Sequence, residues 1–250
     1  MAALPNQLAR LELPAGVLLD TTENGPWHEP LLWYGDEPAL PGDWSRLRAT
    51  GRPLGLLPVL IDRGRRDEGP EHWELQPART SYPGDHEAED VLSEAWDLCA
   101  SDELDDSTPW PGLAPAPAAS TPATADELAA DIAHMIADGA RPALVPARRS
   151  ADIPAAIGWS GPLNHENDVA RLCAVLRSWE DRFDIRVVAL GFDTMTVSVG
   201  RPPTTETEAL ALAAEHFAFC PDNVDHRPHG LRAYADKHLL GQEVWTFWWH

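Results

Sequence analysis

Polar and apolar positions are most legible in the second half of the chain. Thr124-Ala-Asp-Glu127 has the form of a capping box, a hydroxyl at the cap and a carboxylate three residues on. Leu128, Ile132, Met135 and Ile136 then follow helical spacing up to Gly139. Residues 142–148 read as a short strand that its two prolines place at a sheet edge or make irregular. Over 168–183, Val169, Leu172, Cys173, Leu176, Trp179 and Phe183 fall on one helical face. Residues 185–190 form a strand, 191–193 a turn, and Thr194 to Val199 alternates polar and apolar as a half-buried strand does. A second capping box, Thr205 to Glu208, opens a helix to about Phe217. A further helix is expected over 230–240, and Val244 to Trp249 closes the chain as an aromatic strand.

From residue 142 this order is β-α-β-β-α-(α)-β. It predicts an α+β fold whose C-terminal part is a ferredoxin-like, split βαβ antiparallel sheet with helices on one face. A smaller N-terminal α+β part is expected from strand patterns near 13–19, 30–35, 55–61 and 71–77 and helix patterns near 43–49 and 86–99.

Charge and proline content add a boundary to that picture. Residues 67–106 carry 14 Asp or Glu against one Arg, and so supply 13 of the 21 net negative charges. The following run, Ser107 to Ala123, is rich in Pro and Ala, which sustains neither helix nor ladder. The expected division is an N-terminal region 1–100, a linker 101–123, and a C-terminal domain 124–250. The net charge of −21 excludes a general nucleic-acid or anionic-membrane surface, since both need clustered positive charge. No apolar run approaches the roughly 18 residues of a membrane span. Three cysteines fit a reducing cytoplasm better than a disulfide framework. The chain holds 11 Trp, side chains that anchor small cores or binding surfaces.

Several stretches carry a resemblance. They are Gly158-Trp-Ser-Gly161 with Asn164, Val175-Leu-Arg-Ser-Trp-Glu-Asp-Arg-Phe183, Arg201-Pro-Pro203, Ala214-Glu-His-Phe-Ala-Phe-Cys-Pro-Asp222 and Trp245-Thr-Phe-Trp-Trp249. In this order they resemble the bacterial family known as domain of unknown function 4253, over residues 158–250. The family pattern tends to place Gly after the Arg-Phe pair and Asp after the last Trp pair, where this chain has Asp184 and His250. The resemblance implies no established activity.

The candidate chemistry is limited. His216 and Cys220, four apart with Asp222 just beyond, could form a thiolate–imidazole pair or part of a metal site. A zinc site would need further ligands from His165, Asp225, His226 or His229, at no recognised spacing. Against this stands a buried Cys packed as a small hydrophobe beside a His that caps the helix end. Arg177 and Arg182 could grip a carboxylate or phosphate, or pair with Glu180 and Asp181 on the helix surface. Trp245, Trp248 and Trp249, with Trp159, could line an aromatic cleft for a peptide or apolar ligand; in an extended strand Trp245 and Trp249 point one way and Trp248 the other. The acidic run 85–106 is either a solvated helix face or a surface for a basic partner.

There is no Gly-rich phosphate loop, Gly-x-Ser-x-Gly elbow, His-Glu-x-x-His or Cys-x-x-Cys. The expectation is therefore a non-catalytic protein- or ligand-binding module without cofactor or metal, bound for instance to a basic toxin as its antidote. A small enzyme using Cys220 and His216, a metal-binding domain or a ligand-sensing domain with its pocket between the halves is the alternative. Binding residues are expected among Trp159, Asn164, Arg177, Trp248 and Trp249.

Overall fold

The structure, a computed structural model, describes residues 4, 8–103, 109–118, 123–224 and 230–250. Its strands are β1 (Gly16–Leu19), β2 (Thr21–Thr22), β3 (Gly25–Pro26), β4 (Leu32–Gly35), β5 (Leu57–Ile61), β6 (Arg141–Val145), β7 (Ile185–Leu190), β8 (Thr194–Val199) and β9 (Val244–Trp248). Its longer helices are α1 (Asp43–Gly51), α2 (Ala88–Glu103), α3 (Ala125–Ile136), α4 (Ile153–Ile157), α5 (Val169–Phe183) and α6 (Glu206–Phe219). A short helix, α7 (Gly230–Tyr234), continues as a π-helical turn, Ala235–Leu239. Both capping boxes form, at Thr124 with Glu127 and at Thr205 with Glu208.

The architecture is mixed α+β, built on one seven-stranded sheet in the order β1-β4-β6-β5-β7-β8-β9. Only β5 and β7 run parallel; the other pairs are antiparallel. Helices α2, α5 and α6 cover one face around Val59, Ile61, Leu176, Trp179 and Phe217. Helices α1 and α3 cover the other, around Trp44, Leu60, Ile132 and Val188. This is why Leu57-Pro-Val-Leu-Ile61 reads as a continuous apolar run: the strand is central, buried on both sides. In β8 Met195, Val197 and Val199 are buried as read and Thr194 and Thr196 are half-buried, but Ser198 is buried too, so the alternation stops short of the strand's end.

Three expectations need correction. The C-terminal strands do not make a ferredoxin-like sheet with helices on one face. Instead β5, from the N-terminal region, is inserted between β6 and β7, and helices pack on both faces. Periodicity within 142–250 could not reveal this, because a strand from outside the segment fills the gap. Residues 71–77 are not a strand: they lie between two 3-10 turns, Pro70–His72 and Pro77–Arg79, because each proline fixes φ and opens a turn.

The third concerns the proline strand: β6 is neither at an edge nor irregular but lies between β4 and β5, with Pro142 opposite Leu60. The N-terminal and C-terminal regions both contribute strands to this sheet, and the described part of the Pro/Ala run is docked rather than free. Ala114 is buried; its N–H donates to Glu215 Oε1 at 2.7 Å and its carbonyl accepts from Arg182 Nη1 at 2.7 Å. Trp110 packs on Trp96 at 5.7 Å between ring centroids. A chain without helix or ladder still needs partners for its buried backbone groups, and here an ion pair supplies them. Parts of the expected linker, 104–108 and 119–122, lie outside the described residues.

Candidate functional site

The His216–Cys220 candidate lies at the end of α6. Pro221 cannot continue the helix, and Cys220 leaves it with φ −149°. His216 is fully buried, with its ring against Trp179 (4.8 Å), Trp245 (4.6 Å) and Phe247 (4.9 Å). Its Nδ1 lies 3.1 Å from the Tyr234 hydroxyl, and its Nε2 has no hydrogen-bond partner. Burial holds its pKa well below the usual value of 6.5, so the ring is neutral. Cys220 is also buried, and its thiol donates to the Trp248 carbonyl at 3.1 Å. Burial pushes that thiol up to about 12.

No hydrogen bond joins the two side chains. The bond joining these residues runs from the Cys220 N–H to the His216 carbonyl at 2.8 Å. Asp222 turns outward instead, accepting from the His250 N–H at 2.7 Å and lying 2.9 Å from His165 Nε2. Among the described residues no three His, Cys, Asp or Glu side chains gather as a metal ion needs. Asp225, His226 and His229 lie outside them.

The turn after Cys220 closes the edge of the sheet. Asn223 Nδ2 donates to the Thr246 carbonyl at 2.6 Å, and its Oδ1 accepts from the Trp248 N–H at 3.0 Å. One side-chain amide thus stands in for a neighbouring strand along β9, and the Cys220 thiol takes the next carbonyl.

The aromatic candidates divide as strand geometry requires. Trp249 is buried edge-on to Trp159, 5.4 Å between centroids, and the Trp159 N–H donates to the Gly191 carbonyl at 2.9 Å. Trp248 is 44% exposed and donates to Asp193 Oδ2 at 3.2 Å, with His250 5.1 Å away. A surface row therefore runs His165, Asp222, His250, Trp248, Asp193, next to the exposed Phe192. Asn164 is exposed in the turn after Gly161, and Trp159 and Trp249 belong to the core. The Gly158–Gly161 stretch is a joint. Gly158 accepts from the Gln76 N–H at 2.6 Å, and Ser160 donates to the Trp73 carbonyl. A Cβ on Gly158 would lie 2.2 Å from Pro77 N, and its φ of +64° also favours glycine.

The arginines are engaged. Arg177 grips Asp152 through Nε (2.5 Å) and Nη2 (2.9 Å) and lies over the Tyr82 ring. Arg182 does not pair on the helix surface with Glu180 or Asp181. It makes a fork-to-fork pair with the fully buried Glu215, at 2.8 and 2.6 Å, and Trp179 Nε1 donates to the same carboxylate at 2.8 Å. Sequence reasoning missed Glu215. The available signal was a lone carboxylate inside the apolar run Ala209 to Phe219. A Ser81–His86 contact at 2.6 Å also has a carboxylate nearby, Asp168 at 3.8 Å, but both approach the same nitrogen, Nε2. A catalytic triad needs the carboxylate on the other nitrogen.

Within the acidic run 85–106, residues 104–106 lie outside the described residues, and 88–103 fold as α2. Its inner face, Val91, Leu92 and Trp96, is buried against α5 and α6. Glu89, Asp90 and Asp97 are exposed without an ion pair among the described residues, whereas Glu94 is held by Arg171 at 2.5 Å.

Residues 141–250 match the model of the family described as domain of unknown function (DUF4253). The matched segment begins at β6 and contains both the Arg182–Glu215 pair and the His216 cluster. It leaves out β5, the strand that completes its sheet. No curated protein and no solved structure matches the chain. No helix among the described residues is long and apolar enough to cross a membrane.

Proposed function

We propose that this protein is a non-catalytic binding module for a basic protein, an antidote to a basic toxin in a reducing cytoplasm being one concrete form. The observation that carries this reading is the outer face of α2. Its carboxylates Glu89, Asp90 and Asp97 face solvent unpaired, while its inner face is fixed in the core. Such a field steers and selects a positively charged partner. The Trp248 ring, with Asp193 beside it and Asp222 behind His250, adds an aromatic and acidic surface suited to a cationic side chain. The three cysteines are free of disulfides, in keeping with a reducing compartment. The alternative of an enzyme or metal site at Cys220 and His216 is weakened by their burial and by hydrogen bonds that run to Tyr234 and to the Trp248 carbonyl rather than between them.

The test is affinity capture from the source cells, followed by reconstitution with the purified captured protein. A basic partner is expected. Its affinity should fall with added salt and with the triple variant Glu89→Lys, Asp90→Lys, Asp97→Lys at unchanged melting temperature. A partner indifferent to salt and to these variants would overturn the reading. So would a turnover lost in Cys220→Ser while stability is kept.

A further inference from the structure

The sheet ends in β9 on one side and β1 on the other. The outer edge of β9 is covered at its C-terminal end, over the Thr246 carbonyl and the Trp248 N–H and carbonyl, by Asn223 and Cys220. That of β1 is not. The Asp36 N–H donates to the Ala15 carbonyl, and pairing continues as Val17 with Tyr34 and Leu19 with Leu32. In an antiparallel ladder this phase turns the backbone groups of Ala15 and Val17 toward β4 and those of Gly16 and Leu18 away from it. No hydrogen bond is made to the outer groups of Gly16 or Leu18 among the described residues. Val17 is 49% exposed and Leu18 43%. The edge is also held in place: a Cβ on Gly16 would lie 2.6 Å from the Trp33 indole nitrogen and from the Tyr34 carbonyl, so the backbone sits directly on that ring. An exposed, apolar, fixed edge is a template for strand addition.

Charge selects the occupant. Residues 9–40 carry six carboxylates, Glu12, Asp20, Glu23, Glu29, Asp36 and Glu37, against one Arg10. A second copy of this chain would set these acids against their own kind, on two molecules each of net charge −21. We infer that the outer edge of β1 adds an extended segment of a basic protein, apolar over Val17 and Leu18 and carrying Lys or Arg at both ends. The segment takes up to four backbone hydrogen bonds from Gly16 and Leu18, and its cations meet Glu12, Asp20 and Asp36. This inference rests on the reading of a basic partner and says where and how that partner docks.

The probe is the peptide Lys-Arg-Val-Thr-Val-Thr-Val-Lys-Arg, titrated into the full chain. Binding is expected to protect the amides of Gly16 and Leu18 from hydrogen exchange. It should weaken about tenfold in Leu18→Pro, which removes one outward N–H at an edge that tolerates proline. N-methylation of alternate residues of the peptide should do the same without altering the protein, so a folding defect in Leu18→Pro cannot imitate the result. Peptide binding that ignores both changes overturns the inference, as does no peptide binding at all. Self-association through β1 overturns the choice of occupant. If a captured basic partner loses affinity on charge reversal in α2 but not in Leu18→Pro, the binding-module reading stands and the edge site falls. If no basic partner binds, both fall.

Discussion

The two edges of the sheet receive opposite treatment. Along β9 a single asparagine supplies both a donor and an acceptor to the strand, and a buried thiol takes the next carbonyl. Along β1 the corresponding groups of Gly16 and Leu18 meet nothing described, between two exposed apolar side chains. Edge strands are a liability that folds usually blunt. A chain that closes one edge with side chains and leaves the other open treats the open one as a surface. Two buried polar side chains, Glu215 and His216, lie on this side, with Arg182 and Tyr234 as their partners.

The largest effect should come from the pair behind the closed side. Glu215→Ala leaves Arg182 and the Trp179 N–H without their acceptor and releases Ala114. A loss of about 3–5 kcal/mol is expected in denaturant unfolding. The double variant Arg182→Met, Glu215→Leu should recover most of it, because both charges are then gone. A Glu215→Ala loss under about 1 kcal/mol would mean that the pair does not hold the closed side together.

Asn223→Ala should rank second. It strips β9 of its substitute strand, with two solvent-exposed backbone groups losing partners at about 0.5–1.5 kcal/mol per bond. It should also make the protein self-associate in size-exclusion chromatography, because the two edges would then be alike. A monomer of unchanged stability would break the comparison.

Third is pH. The neutral His216 is held below its ordinary pKa of 6.5, so beneath that pH the unfolded chain binds a proton that the folded chain refuses. Stability is therefore full above about 6.5 and falls as pH drops, by up to about 1.4 kcal/mol per unit for one group. His238, also lowered but exposed, adds less in the same direction. The lowered carboxylates Asp126, Glu127 and Glu208 act only at lower pH, leaving the window between 6.5 and about 5 to the histidines. His216→Gln should flatten the melting-temperature profile there; an unchanged slope would place the titration elsewhere.

The smallest effect is predicted for the open edge. Val17→Lys should change stability by no more than about 0.5 kcal/mol, since half of this side chain is already in water. A larger loss would mean that Val17 packs against something and that β1 is not open.

Much of the C-terminal structure was legible along the chain. Both capping boxes, the apolar face of α5, the alternation of β8 as far as Val197 and the division of Trp248 from Trp249 follow from local periodicity. The site was legible only in part. His216 and Cys220 share the end of α6, but whether they face each other depends on the rings of Trp179, Trp245 and Phe247, which come from α5 and β9. Asp184 could be noted as a departure but not explained; it ends α5 at φ 53°, a conformation that suits glycine, and holds Arg201 at 2.8 Å.

Local pattern thus determined most helices and strands of the C-terminal half and the facing of most of their side chains, because these depend on neighbours within about one or two turns of chain. The partner of each edge and of each buried charge was decided by the tertiary structure. β5 enters the sheet of a segment that begins some eighty residues later, Glu215 finds Arg182 on another helix, and Ala114 binds both. Strand order and burial are set by contacts between residues distant in sequence, and such pairings leave no period in the sequence to read.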